Sequence, residues 1–289
     1  MSRTIEDCVI GIVGLGLMGG AVALALRNNC AVEQSRLFAC DKDSETLAAA
    51  KKSGLIAQGF QAEKAGEMLE QCDVVFLCLN PSTVIAFLQQ WESYFKSGSL
   101  VTDIAGTKGS IARKAEKLRE DVDFIPGHPM AGAEKGGFAN SGLCNFKGKN
   151  YILTPLSRNK SENLQFLKDL IHKMGFGRVT EVTPGEHDRK IAFTSQLCHV
   201  IASALIDCEA DTAITRFGGG SFEDLTRIAM LNAPMWTEIF IENRDALLQR
   251  IEQFENSLDS FKALISAAEA GELEKKLRLV RERRTAMTS

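Results

Sequence analysis

The sequence predicts an α/β domain with a mainly parallel sheet, followed by an all-α domain. Three observations carry this. Short apolar runs alternate with helical stretches along the first part of the chain, the pattern of successive βαβ units. The first of these runs ends in a glycine-rich turn that opens a helix. After Pro184 the alternation stops, and apolar residues recur at helical spacing. The boundary falls near 183–185, giving one domain over residues 1–183 and another over 184–289.

Taken in order, "CVIGIVG" (8–14) is an apolar strand ending in glycine, and Ala21 to Arg27 reads as helix. "SRLFACD" (35–41) is strand-like, and "SETLAAAKKSG" (44–54) is a helix with a serine start and a glycine stop. "CDVVFLCLN" (72–80) is a buried strand closed by Pro81, "SLVTDIAG" (99–106) a fourth, and "DFIPGHPM" (123–130) begins as a fifth. "KNYILTP" (149–155) and "GRVTEVT" (177–183) are further strands on either side of a helix from Ser161 to Met174. Beyond Pro184, residues 185–215, 223–232 and 234–267 have helical spacing and no convincing strand. A helical domain of about 105 residues gains from a partner that covers its apolar faces. The long 234–267 run therefore points to a homodimer. The basic end, "KKLRLVRERR" (275–284), reads as a solvated helix face.

Composition narrows the function. Of 289 residues, 45% are hydrophobic and 25% charged, the profile of a soluble globular protein. A net charge of −3 gives no electrostatic footprint for nucleic acid. The apolar stretch from Val9 to Leu26 is interrupted by five glycines, so no membrane span is expected. The start, "MSRTIEDC", has acidic residues where a secretory leader would turn apolar. Eight cysteines are scattered with no C-x-x-C pair. That fits reduced, buried thiols of a cytoplasmic protein, with neither a metal cage nor a disulfide framework.

"GLGLMG" carries G-x-G-x-x-G at Gly14, Gly16 and Gly19, with Leu17 and Met18 between the last two. The pattern alone is weak. Here it follows a predicted strand, opens a predicted helix and precedes Asp41 by 22 residues from Gly19. That context is the fingerprint of a Rossmann-like dinucleotide-binding domain. Gly14 permits the tight turn, Gly16 lets backbone approach a pyrophosphate, and Gly19 lets helix sit against strand. The helix N-terminus faces the negative charge. Asp41 would accept hydrogen bonds from the adenosine ribose and repel a 2′-phosphate, favouring NAD over NADP, a preference that Lys42 weakens slightly.

Only four histidines are present. His172 reads as a surface side chain. His187, where a helix begins after Pro184, reads as a structural capping or interdomain residue, with a catalytic role as the lesser alternative. His199 sits on an apolar helical stretch and, by itself, suits a satisfied core position. His128 differs, because it follows the C-terminal end of a strand in a parallel sheet, the edge where ligands bind in open α/β folds. Arg227 lies on a helix that opens after three glycines and shares a face with Asp224, three residues before it. A surface ion pair and a bidentate carboxylate clamp both fit that arginine, and spacing does not choose between them.

Together "GLGLMGG", "TDIAGTKG" (102–109), "GHPMAGAEKGG" (127–137), "EHD" (186–188), "SQLCH" (195–199) and "GGGSFEDLTRIA" (218–229) resemble the prephenate and arogenate dehydrogenase family, in its order and over nearly the whole chain. The resemblance implies NAD-dependent oxidative decarboxylation of prephenate to 4-hydroxyphenylpyruvate in tyrosine biosynthesis, with arogenate as the alternative substrate. It implies cofactor contacts at Gly14, Gly16, Leu17, Met18, Gly19 and Asp41. His128 falls on the family's general base, which suits histidine because its ordinary pKa lies near working pH. Arg227 falls on the arginine that binds a substrate carboxylate. His199 falls on the second histidine of a Ser-His-x-x-His motif whose first is Gln196 here. Glu134, Gly220 and Trp236 fall on positions lining the substrate site.

One departure stands out. Where the family usually has D-x-G-S-x-K, this chain has "DIAGTK", so Gly106 replaces a serine that assists the base. Thr107 is the nearest hydroxyl and is the expected stand-in, although neighbouring side chains of an extended segment face apart. No fused mutase or regulatory domain is expected after the helical domain. A β-hydroxyacid dehydrogenase would need a catalytic lysine early in the second domain, where Lys190 is the candidate. A non-catalytic NAD-sensing protein would keep the fold without turnover.

Overall fold

The computed structural model describes residues 4–133 and 135–287. They form two compact units, one ending at Asn243 and the other beginning at Arg244.

The first unit is built on a six-stranded sheet of β1 (Ile10–Val13), β2 (Leu37–Asp41), β3 (Gln58–Gln61), β4 (Val74–Leu77), β5 (Leu100–Asp103) and β6 (Asp123–Phe124). Helices α1 (Leu17–Asn29), α2 (Ser44–Lys52), α3 (Ala65–Leu69), α4 (Pro81–Trp91) and α5 (Gly109–Ala115) connect them. Every neighbouring pair is parallel and the spatial order is β3-β2-β1-β4-β5-β6, the doubly wound Rossmann-like arrangement. Side chains alternate across the sheet. Ile10, Ile12, Val74 and Phe76 enter one core with α1, while Val13, Val75, Leu77 and Val101 enter the other with α3, α4 and α5. Because helices cover both faces, the strands read as unbroken apolar runs. The strand order reverses between β1 and β4, the switch point at which such folds bind ligands, and the glycine-rich turn leaves β1 there.

A smaller sheet follows, made of β7 (Gly127–Pro129), β8 (Asn150–Leu153) and β9 (Arg178–Glu181), with α6 (Ser161–Lys173) between the last two. The segment 123–130 is thus two strands in two sheets, not one. Ile125 N still donates to Val101 O at 2.9 Å, but Pro126 has no N–H to extend the parallel ladder. Its carbonyl instead accepts from Thr154 N at 2.9 Å, and His128 pairs antiparallel with Ile152. The edge strand β3, in "QGFQ", is an addition to the sequence reading.

Among the described residues no strand lies beyond Pro184. The helices are α7 (Pro184–Ile191), a π-helical turn at Ala192–Gln196, α8 (Leu197–Asp207), α9 (Gly220–Thr226) and α10 (Ala233–Glu242). The run expected over 234–267 is interrupted at Asn243. The second unit is a pair of helices, α11 (Arg244–Ser266) and α12 (Ala270–Ala286), with Lys276 of one over the Phe261 ring of the other at 4.6 Å.

None of the eight cysteines is in a disulfide. Burial pushes the Cys40 and Cys72 thiols up to about 12, while Cys198 and Cys208 are exposed against expectation. Among the described residues no helix is long and apolar enough to cross a membrane.

Candidate active site

The turn after β1 is shaped for a phosphate. Gly14 has φ +86°, and a Cβ there would lie 2.5 Å from the Cys78 carbonyl oxygen. A Cβ on Gly19 would lie 1.9 Å from the Gly14 carbonyl oxygen, so α1 can approach β1 only with glycine at that position. Gly16 is the opposite case, with nothing within 4 Å of a Cβ. It is the N-cap of α1 and offers no side-chain cap, and the first turn carries no acidic residue. The N–H groups of that turn, on Leu17 and Met18 among others, have no intrahelical acceptor, the arrangement that suits an anion at a helix N-terminus. Asp41, at the end of β2, accepts from Leu15 N at 2.5 Å and Asp43 N at 2.9 Å, one bond per oxygen. Each oxygen keeps a lone pair for a ribose hydroxyl. An open cradle, donors without an intrahelical acceptor and a carboxylate at the end of the neighbouring strand fit a dinucleotide.

The turn after β5 is held by a buried ion pair. Asp103 accepts from Ala105 N at 2.9 Å and from Gly127 N at 3.3 Å, and it is hydrogen-bonded to Lys108 Nζ. Both Asp103 and Lys108 are fully buried. Burial lowers the Lys108 pKa, against the attraction of Asp103. The pair fastens the start of β7, which carries His128, to the end of β5.

His128 Nδ1 lies 2.9 Å from Nε2 of His187, a buried residue on α7. His187 Nδ1 in turn lies 2.8 Å from Asp188 Oδ1. Asp188 also accepts from Lys108 N and Gly109 N, each at 2.8 Å. Burial opposes its charge, yet these bonds, led by that from His187, keep the Asp188 pKa below the usual carboxylate value. Burial is the first cause that lowers the His128 pKa well below the ordinary value, with electrostatic coupling to His187 and the Lys108 charge adding to it. His187 is likewise lowered, chiefly by burial. His128 is therefore a neutral base at neutral pH.

The remaining expected residues distribute as follows. His199, on α8, bonds Ser195 O through Nδ1 at 2.9 Å, and its ring stacks on Trp236 of α10 with centroids 3.7 Å apart. That contact brings two expected substrate residues together. Gly220 is the first residue of α9, and Arg227 lies at its C-terminal end, exposed. Glu134 lies outside the described residues. Thr107 is buried, and its hydroxyl has no hydrogen-bond partner among the described residues, so the proposed stand-in makes no bond to His128. At Gly106 a Cβ would meet Ile239 Cδ1 at 3.3 Å. His172, exposed, bonds the Phe176 carbonyl at 3.1 Å.

Sequence reasoning placed His187 as a cap or interdomain residue. The cap of α7 is Thr183, whose hydroxyl accepts from Glu186 N. His187 instead faces the candidate base. The signal was present in "EHD", an acid beside a histidine at a helix start, but helical spacing does not say that β7 packs against that face. Asn243 was also missed. Its Nδ2 donates to Asp188 O at 2.9 Å and to Gln196 Oε1 at 2.8 Å, tying α10 to α7 and the π-helical turn.

A parallel doubly wound sheet with a phosphate cradle, a ribose carboxylate and a half-buried neutral histidine defines a nucleotide-dependent dehydrogenase. The comparisons with known proteins narrow this. Residues 22–180 match the family model "Prephenate dehydrogenase, nucleotide-binding domain", and residues 183–279 match "Prephenate dehydrogenase, dimerization domain". The chain belongs to the prephenate dehydrogenase family. It is 29% identical over 274 residues to a prephenate dehydrogenase of Bacillus subtilis, covering 93% of this chain and 72% of that one. The crystal structure of prephenate dehydrogenase from Aquifex aeolicus in complex with hydroxyphenyl propionate and NAD+ superposes with a TM-score of 0.85 at 29% identity, over 96% of this chain and 98% of that one. The Synechocystis arogenate dehydrogenase structure gives 0.80 at 27% identity, over 96% and 99%.

Proposed function

We propose that this protein catalyses the NAD-dependent oxidative decarboxylation of prephenate to 4-hydroxyphenylpyruvate, with His128 as general base. The observation that carries this reading is a half-buried, neutral histidine at the same edge of the fold as the dinucleotide cradle, in a chain of this family. The nicotinamide, when bound, supplies the hydride acceptor. His128 takes the proton of the ring hydroxyl as hydride leaves the carbon that bears it. The ring carboxylate then departs as carbon dioxide, its electron pair aromatises the ring, and the proton returns to the oxygen. No net proton is released, so one positioned base suffices. Arg227 binds a substrate carboxylate, and His199 with Trp236 forms one wall of the substrate site. Glu134 and Gly220 are assigned to the same site through the family motif. Thr107 keeps a candidate role as a hydroxyl donor to bound ligand, supported by its unsatisfied buried oxygen.

Arogenate is the second reading, favoured by the similarity to the Synechocystis enzyme. The substrates differ only in an amino or keto group on the side chain. Residues 1–183 serve as the nucleotide domain and 184–289 as the substrate and dimerisation domain, acting as a cytoplasmic homodimer. The single test mixes purified protein with NAD or NADP and with prephenate or arogenate, following the reduced cofactor's absorbance. Turnover with NAD and prephenate is expected. Cofactor binding without turnover in any of the four pairs would favour the non-catalytic sensing reading.

A further inference from the structure

The bond between His128 and His187 fixes more than a ring position. Asp188 is ionised and can only accept, so His187 Nδ1 carries the hydrogen that lies between them. A neutral His187 then has a lone pair at Nε2, and the 2.9 Å contact requires His128 Nδ1 to donate to it. His128 Nε2 is left unprotonated, the state a general base needs. The order Asp188, His187, His128 is anchored at its far end by the Lys108 and Gly109 amides and by Asn243 on the Asp188 carbonyl. The charged groups around the two rings are Asp188 on α7 and the buried Lys108–Asp103 pair between β5 and α5.

We infer that His187, oriented by Asp188, is a positioning residue that holds His128 in the Nδ1–H tautomer and so keeps its Nε2 available as base. The inference rests on the reading of His128 as the base. It also bears on "PGHPMAG", since Pro126 and Pro129 restrict the backbone of β7 while His187 restricts the ring.

Nitrogen NMR of histidine-labelled protein tests it without turnover. In the wild type, His128 should show a protonated Nδ1 and an unprotonated Nε2 near pH 7.5. A protonated Nε2 there would overturn the inference, whatever the activity. His187→Leu removes the acceptor and frees the ring to adopt either tautomer. Its kcat should fall roughly 10- to 100-fold, the loss of one positioned hydrogen bond, with NAD affinity and substrate KM little changed. His187→Gln, whose amide oxygen can accept from Nδ1, should recover part of that loss. Equal loss in both variants, or a loss confined to KM, would make His187 a packing residue and sink the proposal. A wild-type protein inactive toward both substrates would remove the proposed function but leave the tautomer measurement standing.

Discussion

At the scale of single residues, the site depends on two histidines, His128 and His187, that loss of solvent keeps neutral. His128 is held below the ordinary histidine value near 6.5, first by burial and then by His187 and Lys108. A lowered pKa means the ring is unprotonated above that value and becomes protonated only as pH falls further. The pH profile of kcat/KM should therefore stay flat through neutrality and drop only on the acid side of 6.5. An acid limb centred at or above 6.5 would show that another group titrates. His128→Asn keeps a polar side chain but loses the base, so turnover should fall about 10²- to 10⁴-fold. Its NAD affinity, measured by fluorescence titration, should stay within a few-fold. Arg227→Ala should act chiefly on KM, raising it about 10- to 100-fold if the arginine forms a charge-assisted pair with a carboxylate. An unchanged KM would return Arg227 to the surface ion-pair reading.

At the scale of elements, the sequence was most readable where one local rule decides the outcome. The strands with both faces covered announced themselves as apolar runs, and the glycine turn by its place between strand and helix. The edge strand β3 was not readable, because "QGFQ" is short, mostly polar and buries chiefly Phe60. The division of 123–130 between two sheets and the interruption at Asn243 depend on partners far along the chain, Thr154 for one and Asp188 with Gln196 for the other. The candidate site follows the same division. His128 and the cradle glycines stood out by local context, whereas the partnership with His187 exists only once β7 packs on α7. The glycines of the turn allow a sharp comparison. Gly19→Ala must push a methyl against the Gly14 carbonyl, so it should cost about 1–3 kcal/mol of stability, read as a lower Tm. Gly16→Ala has open space around its new Cβ and should leave Tm nearly unchanged. It should instead weaken NAD binding, because the methyl fills the room through which a pyrophosphate reaches the backbone. The same Tm loss in both variants would mean that the turn serves packing alone.

At the scale of the whole molecule, the helical part exposes apolar side chains that a single chain does not cover. Phe217 is 86% and Met230 71% exposed, with Leu225 and Ile241 also open to solvent. A few isolated exposed apolar residues are ordinary, but four within 25 residues, on a segment matched by a dimerization-domain model, suit an interface between copies. Burying one phenylalanine gains about 1.5–3 kcal/mol, and a two-fold interface would repeat that gain on the other subunit. Light scattering on the eluted protein should therefore give twice the chain mass of 31.6 kDa at micromolar concentration. Phe217→Glu would place a carboxylate in the interface twice over and should shift the mass toward one chain, with its circular dichroism spectrum unchanged. If the wild type elutes as a single chain, the interface is absent. If it is a dimer that Phe217→Glu does not weaken, the contact lies on other residues of the helical part, since symmetry would otherwise double the cost of the buried charge.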